Sequence, residues 1–461
     1  MTDWPIFNLS LSLFIPWIAG YSLLLVLLKP SSNQEFFFRT ALAYALGMGI
    51  LTYTMLILGC LRIPLSLSSI GYSLVVLTTI FLLIFLLGKK NSADLLFTPK
   101  PENTPNPLLF FLMAGCVGYF TIYVFWRSLN IPVIDWDAVS IWAFNAKVFF
   151  YDQTLDHAKY IPHASYPLHV CFAEAWIALN LGSWNDVLIK IIFPFEFLSY
   201  LIIQYHILKL YTNKTWAMLG NVLLVSSNFF IYHATIGYAD FTLMYYNSLV
   251  ILLLLLWNRE SNKKYLFLAG LLSGLMTFVK IEGLIYLMIH TVLAFYILSL
   301  KNSNLLNKIK DMSRFVIPSY LLYSFYFLFK IKNDIPLLRD DAKITFHLDQ
   351  LHRVPVILEQ FLNNLFYSGN WNILWLLFVL SLIRYPQRKK ISEIRILIFG
   401  LLLFFLAHFL LFLLTPSFSF IASFNQESSV LSRLFLHFFP LIPLLIIFLN
   451  APFNSPTHLR E

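Results

Sequence analysis

Charge is what this chain has least of. Only 12% of its 461 residues are Asp, Glu, Lys or Arg, whereas 59% are hydrophobic and the mean hydropathy is +0.73. Water cannot solvate so apolar a surface, which excludes a soluble globular protein and leaves a polytopic membrane protein. Cysteine is nearly as scarce. Cys60, Cys116 and Cys171 lie inside or at the ends of apolar segments, with no CxxC spacing and no even-numbered set. Neither a disulfide framework nor a thiolate metal site follows from them. Nucleotide-phosphate loops are missing as well: GxxxxGK[ST] and GxGxxG do not occur, and the cytoplasmic loops are too short for a nucleotide-sugar domain. The 46 Phe and 24 Tyr read as bilayer-facing bulk without a base-stacking platform. An excess of 32 Lys plus Arg over 23 Asp plus Glu would suggest nucleic acid in a soluble chain. Here the cations cluster in short loops between apolar runs, so no nucleic-acid partner is expected and lipid topology explains the +9 charge.

What is present is a series of apolar runs near the ~20 residues that span a bilayer. They fall near 6–28, 40–60, 65–87, 107–127, 188–208, 216–236, 240–257, 265–281, 283–300, 315–330, 371–384, 391–414 and 434–450. The expected fold is all-α, with about 13 transmembrane helices. The first run has no basic leader and ends at Lys29-Pro30 without a small-residue cleavage site, so it reads as a membrane helix rather than a cleaved signal. Five basic clusters then set orientation. They are Lys89, Lys90 and Lys100; Lys209 and Lys214; Arg259, Lys263 and Lys264; Lys301, Lys308, Lys310 and Arg314; and Arg384, Arg388, Lys389, Lys390 and Arg395. The positive-inside rule makes all five cytoplasmic. That holds only if residues 166–182, with Glu174 in their middle, do not cross but form a juxtamembrane or re-entrant element. The N-terminus is then outside and the C-terminus inside. Residues 128–187, 332–370 and 415–433 share the outer face with the turns at Tyr238-Ala239-Asp240 and Lys280-Ile281-Glu282-Gly283.

The most telling outer segment is IPVIDWDAVSIWAFNAKVFF, residues 131–150. Acidic groups beside hydrocarbon cost several kcal/mol unless they are paired, which marks Asp135 and Asp137 as candidates for chemistry. Val139, Trp142, Ala146, Phe149 and Phe150 recur at helical spacing, predicting an amphipathic helix along the interface. Asp137 at its start serves equally as a helix cap or a catalyst, and Lys147 as a snorkelling cation or an anion ligand. Asp240, Lys280, Glu282, His163, His169 and Glu174 are brought to the same surface, more ionisable groups than a lipid-facing rim needs. Glu196, deep in FPFEFL, is expected to be paired or protonated. The second outer loop carries Arg339, Asp340, Asp341, Lys343, His347, Asp349, His352 and Arg353. It is too short for its own core. It reads as a lid or acceptor-binding segment with an interfacial helix around 351–366, or as a solvated spacer.

In order, the outer segments contain W-D-x(4)-W-A-x(2)-A-K (Trp136 to Lys147), H-x(2)-Y-P-L (His163 to Leu168), Y-A-D (Tyr238 to Asp240), K-x-E-G (Lys280 to Gly283) and S-R-x(3)-H-x(2)-P (Ser432 to Pro440). This order and placement resemble the GT-C superfamily of membrane glycosyltransferases, closest to family 39 and its protein mannosyltransferase relatives. One departure is Asn145, where a lysine is expected. The resemblance implies a catalytic membrane module over 107–450, preceded by a three-helix extension over 1–106 and followed by a cytoplasmic tail, 451–461. It implies transfer of a sugar from a polyprenyl-phosphate carrier to a glycan, lipid or protein acceptor, in an inner (plasma) membrane with the active site facing outward.

Such transfer needs a base for the acceptor and cations for the leaving phosphate. Asp137 is the expected base and Asp135 the second candidate, in a single inverting displacement. Lys147, Lys280, Arg433 and His437 are the expected phosphate ligands, with His163, Tyr166, His169, Asp240 and Glu282 completing the substrate-binding set. No cofactor is assigned, and a divalent metal stays open. Bland roles stand beside these: Lys280 and Glu282 pairing across a turn, Arg433 anchoring headgroups, Asp240 capping a helix, His169 and His437 as structural histidines. Two other classes remain. A surface-polysaccharide polymerase or ligase would carry its decisive Arg and His in the later loop; a lipid or solute transporter would show inverted repeats and midplane charges, and no repeat relates the two halves.

Overall fold

The computed structural model describes residues 5–28, 36–88, 106–301, 304–345, 347–422 and 429–452. The first basic cluster, Lys89, Lys90 and Lys100, and most of the C-terminal tail lie outside them. Among the described residues the chain is all-helical, without strands. Its α-helices are α1 (Pro5–Leu27), α2 (Phe36–Cys60), α3 (Leu67–Leu87), α4 (Pro107–Asn130), α5 (Ala143–Asp152), α6 (His169–Leu181), α7 (Ile192–Tyr211), α8 (Lys214–Val225) and α9 (Asn228–His233). Then follow α10 (Ala239–Glu260), α11 (Lys263–Met276), α12 (Glu282–Ser299), α13 (Leu305–Lys332), α14 (Arg353–Phe366), α15 (Leu374–Arg384), α16 (Ser392–Leu414), α17 (Ser429–Leu436) and α18 (Leu441–Asn450).

Eight of these, counting α7 with the short turn before it, are long and apolar enough to cross a membrane: α1, α2, α3, α4, α7, α10, α12 and α16. The pair α17 and α18, bent by 53°, makes a ninth if it is one span. The set is consistent with a multi-pass membrane protein. The other runs read from hydropathy are shorter, broken or interrupted by charge. Residues 216–236 divide where the Ser227 hydroxyl accepts from the Phe230 N–H at 3.2 Å and starts α9. α11 and α15 have 14 and 11 residues, roughly 16–21 Å of helix against a ~30 Å hydrocarbon core. α13 is long, but its first turns carry Lys308, Lys310, Asp311 and Arg314.

α10 is the central strut, with every residue from Ala239 to Trp257 buried. α3 and α4 lie outside, exposing Tyr72, Val75, Leu86, Phe111, Leu112 and Ile122 over an area that water would not tolerate and lipid would cover. α1 and α2 pack backbone to backbone. A Cβ on Gly47 would lie 2.1 Å from the Pro16 carbonyl oxygen, so only glycine permits that approach. Pro16 has no N–H for the Ser12 carbonyl one turn back. The Trp176 indole donates to that carbonyl at 2.7 Å, which pins α6 against α1. α6 is buried along its whole length.

The helix expected over 139–150 forms, but with a π-helical turn at Ala138–Trp142. Its extra residue rotates the stripe. Trp142, Ala146 and Phe149 face inward, while Val139 is exposed rather than buried. Asn145, at the position where a lysine was expected, donates to the Pro162 carbonyl at 3.0 Å and ties down the loop that follows. The interfacial helix expected near 351–366 is α14, which buries Ile357 and Phe361 and exposes Leu358 and Leu362.

The two ends of the bundle differ in chemistry. At one end Arg259 lies 4.7 Å from the Tyr211 ring centre, Lys301 4.4 Å from the Trp257 ring, and Lys263 pairs with Asp311 at 3.1 Å. Arg388 donates to the carbonyls of Phe448 and Ala451 there as well. The other end receives Asp240, Lys280, Glu282 and residues 131–168. Asp240 and Arg259 sit nineteen residues apart on α10, roughly 28 Å at 1.5 Å per residue.

Candidate functional site

Asp240 is the hub. It sits in the first turn of α10, where the helix dipole favours a negative charge, and its side chain is 1% exposed. Lys280 Nζ donates to its Oδ1 at 2.8 Å, His437 Nε2 lies 3.0 Å from the same oxygen, and Arg433 stands 3.9 Å from Oδ2. Asp240 is therefore an ion-pair centre. Lys280 occupies the turn between α11 and α12 and also pairs with Glu282 at 3.1 Å. That turn is set by Gly283, where a Cβ would fall 2.4 Å from the Met276 carbonyl oxygen. Burial works against the Lys280 ammonium, but Asp240 and Glu282 outweigh it and hold its pKa above the ordinary lysine range.

Arg433 and His437 come from the other end of the chain. Ser432 is gripped by the amides of Asn364, at 2.7 Å, and Asn370, at 2.8 Å, which fixes the start of the SRLFLHFFP segment. The helix then breaks before Pro440, and the Asn247 amide donates to the freed His437 carbonyl at 2.7 Å. The break turns the His437 ring toward Asp240. One step earlier on α17, the Arg433 guanidinium pairs with the Asp137 carboxylate and rests 5.4 Å from the Tyr238 ring centre. Tyr238 in turn accepts from the Asp137 backbone N–H at 3.1 Å.

Asp137 makes no helix-capping bond, because it already has helical backbone angles ahead of the π-helical turn. Its carboxylate forms the outer edge of the cluster, 27% exposed, with Asp240 beneath it. Three polar atoms at the heart of this arrangement, Arg433 Nε, Asp240 Oδ2 and Glu282 Oε2, are buried without a hydrogen-bond partner among the described residues. Such atoms cost roughly 1–3 kcal/mol each when left unsatisfied.

Tyr166 and His163 form an adjoining layer. The Tyr166 hydroxyl accepts from Arg339 of the segment between α13 and α14, whose guanidinium also pairs with Asp341 at 2.9 Å. The His163 and Tyr166 rings are 5.7 Å apart, and burial together with Arg339 lowers the His163 pKa. Burial raises that of Tyr166.

Three expected site residues are not brought into the cluster. Asp135 receives the Tyr232 hydroxyl, in a separate patch where Arg127 lies 5.4 Å from the Tyr232 ring. Lys147 points outward, since Trp142, Ala146 and Phe149 take the inward face of its helix, and it lies 5.7 Å from the Trp184 ring. His169 is buried, with Nδ1 2.9 Å from the Thr52 hydroxyl. Glu196 accepts from the Thr242 hydroxyl at 2.9 Å inside the bundle.

Sequence reasoning missed two partners. The Tyr286 hydroxyl lies 2.8 Å from His437 Nδ1 and 3.0 Å from His408 Nε2. A polar ring one helical turn beyond Glu282, on the same face of α12, was the available signal. Among the described residues no group of three or more His, Cys, Asp and Glu side chains is arranged to hold a metal ion. An apolar crevice of about 600 Å³ lies elsewhere, between α1, α2 and α7, lined by Phe7, Phe14, Trp17, Tyr44 and Phe195 and by no charged group. Comparison with known proteins gives no match to a family model, a curated protein or a solved structure.

Proposed function

We propose that this protein is a membrane glycosyltransferase that moves a sugar from a polyprenyl-phosphate carrier to a hydroxyl-bearing acceptor at the outer face of the membrane. The observation that carries the reading is the layered cluster itself: a part-exposed Asp137–Arg433 pair above the buried Lys280 and Asp240, with unsatisfied polar atoms between them. An anionic headgroup entering there would take the Arg433 Nε–H and compete with Asp137 for the guanidinium. Asp137 would then be released as the base. The acceptor hydroxyl attacks the anomeric carbon, its proton passes to Asp137, and the bond from that carbon to the phosphate oxygen breaks. The electron pair leaves with the polyprenyl phosphate, which Arg433 and Lys280 stabilise.

Depth and orientation support a lipid-borne donor. Ile134 and Trp136 beside Asp137 are 63% and 80% exposed, apolar groups suited to the interface where a carrier presents its headgroup. The described basic clusters gather at the opposite end of the bundle, which under the positive-inside rule favours an outward-facing site. Counting the short and broken helices α8 with α9, α11, α13, α15 and the α17–α18 pair as passages gives thirteen crossings, with the N-terminus outside and the C-terminus inside. The second outer loop reaches the site through Arg339 and fits a lid over the acceptor.

The test is to supply membranes with labelled polyprenyl-phosphate sugars and follow which label leaves the lipid, with Asp137→Asn as the blank. Loss of label from one carrier sugar with the parent and not with the variant supports the proposal. Equal transfer by both would remove Asp137 from the chemistry.

A further inference from the structure

Four side chains run from the rim of the site into the helical core, and their hydrogens can be counted. Asp240 Oδ1 lies 3.0 Å from His437 Nε2, His437 Nδ1 lies 2.8 Å from the Tyr286 hydroxyl, and that hydroxyl lies 3.0 Å from His408 Nε2. The row ends with His408 Nδ1, 2.7 Å from the Phe404 carbonyl oxygen. A carbonyl can only accept, so His408 Nδ1 bears a hydrogen. Asp240, ionised beside Lys280, can only accept, so His437 Nε2 bears one too. Between these fixed ends stands one hydroxyl, with a single hydrogen and two ring nitrogens to face.

If both rings were neutral, both of those nitrogens would be bare, and one contact would set lone pair against lone pair. One ring must therefore hold a second hydrogen and a positive charge. The two places are not equivalent. His408 has only a tyrosine and a backbone carbonyl for polar neighbours, whereas His437 lies against the Asp240 carboxylate. Charge attraction selects His437. Lys280 and Arg433 oppose that choice from the α11–α12 turn and from α17, but Glu282 and Asp137 neutralise them. Asp137, Asp240 and Glu282 make three negative charges against those two cations, and an imidazolium at His437 brings the cluster to neutrality.

We infer that His437 is a standing imidazolium, locked by Tyr286 and His408, and that it is a positioning residue holding Asp240 unprotonated. If the glycosyl-transfer reading above is right, this leaves Asp137 as the carboxylate that takes the acceptor's proton. The row of hydrogen bonds then has one arrangement: His437 donates to Asp240 and to Tyr286, Tyr286 donates to His408, and His408 donates to Phe404.

The test is solid-state NMR on the full chain, labelled with 15N-histidine and held in lipid bilayers at neutral pH. The His437 signals are assigned by their loss in His437→Gln or, if that variant does not fold, by dipolar contact with 13C-labelled Tyr286. Both His437 nitrogens are expected to carry hydrogen, and His408 to keep one bare. In Tyr286→Phe the lock is gone and His437 is expected to revert to one bare nitrogen. A bare nitrogen on His437 in the parent, the charge on His408, or a doubly protonated His437 surviving in Tyr286→Phe would each overturn the inference. The spectrum is taken on resting protein, so a chain that transfers no sugar can still pass, and one that transfers sugar can still fail.

Discussion

Arg433 closes on the Asp137 carboxylate across 296 residues of chain, joining the segment between α4 and α5 to α17. Its planar fork reaches Asp137 and stands 3.9 Å from Asp240 Oδ2, a geometry that a lysine cannot reproduce. Arg433→Lys is expected to lower sugar transfer by roughly ten- to a hundredfold, since about 1.4 kcal/mol of lost stabilisation is tenfold in rate. The thermal unfolding midpoint in detergent should move little, because the positive charge remains. An unchanged transfer rate would show that the fork is not used.

Asp240 and Lys280 behave as one buried unit. Removing either partner leaves the other charged and desolvated, so Asp240→Asn and Lys280→Met are each expected to cost about 3–5 kcal/mol. The double variant should lose less than the sum of the two, by at least ~1 kcal/mol. Thermal or denaturant unfolding of all four proteins measures this, and simple additivity would contradict the pairing.

Gly283 fixes the turn that presents Lys280 and Glu282. A methyl there meets the Met276 carbonyl at 2.4 Å and the chain must shift. Gly283→Ala is expected to destabilise by about 1–3 kcal/mol, and to lower transfer further by displacing Lys280. Retained stability and activity would mean that the turn adjusts freely.

Sidedness can be read with thiol labelling after Cys60, Cys116 and Cys171 are replaced by serine. New cysteines at Trp136 and Tyr367 should react with an impermeant reagent from the outer side of sealed vesicles, and one at Lys390 from the inner side. Labelling of Trp136 and Lys390 from the same side would remove the outward-facing site.

The long helices could be read from composition because hydrocarbon imposes one requirement that a single residue type satisfies. Runs such as 40–60, 240–257 and 391–414 emerge as α2, α10 and α16. Apolar content says nothing about where a serine captures a backbone N–H, and so the division of residues 216–236 at Ser227 was invisible. In the site, Asp137, Asp240, Lys280, Glu282, Arg433 and His437 stood out as polar groups beside apolar runs. Their pairing did not, because contacts such as Lys280 with Asp240 and Arg433 with Asp137 join separate helices. Lys147 and His169 looked equivalent to the rest until helix rotation placed one on the outer face and the other against Thr52. Tyr286 and His408 escaped notice because isolated polar rings in apolar helices usually have only local partners.

Protein surrounds α10 along Ala239–Trp257, so the height of Asp240 is set by neighbouring helices and owes nothing to the acyl chains outside. A thinner or thicker bilayer would slide phospholipid headgroups past a stationary carboxylate. Reconstitution in lipids of graded chain length should therefore act as a vertical ruler, with the fastest turnover where the carrier's phosphate stands level with the start of that helix.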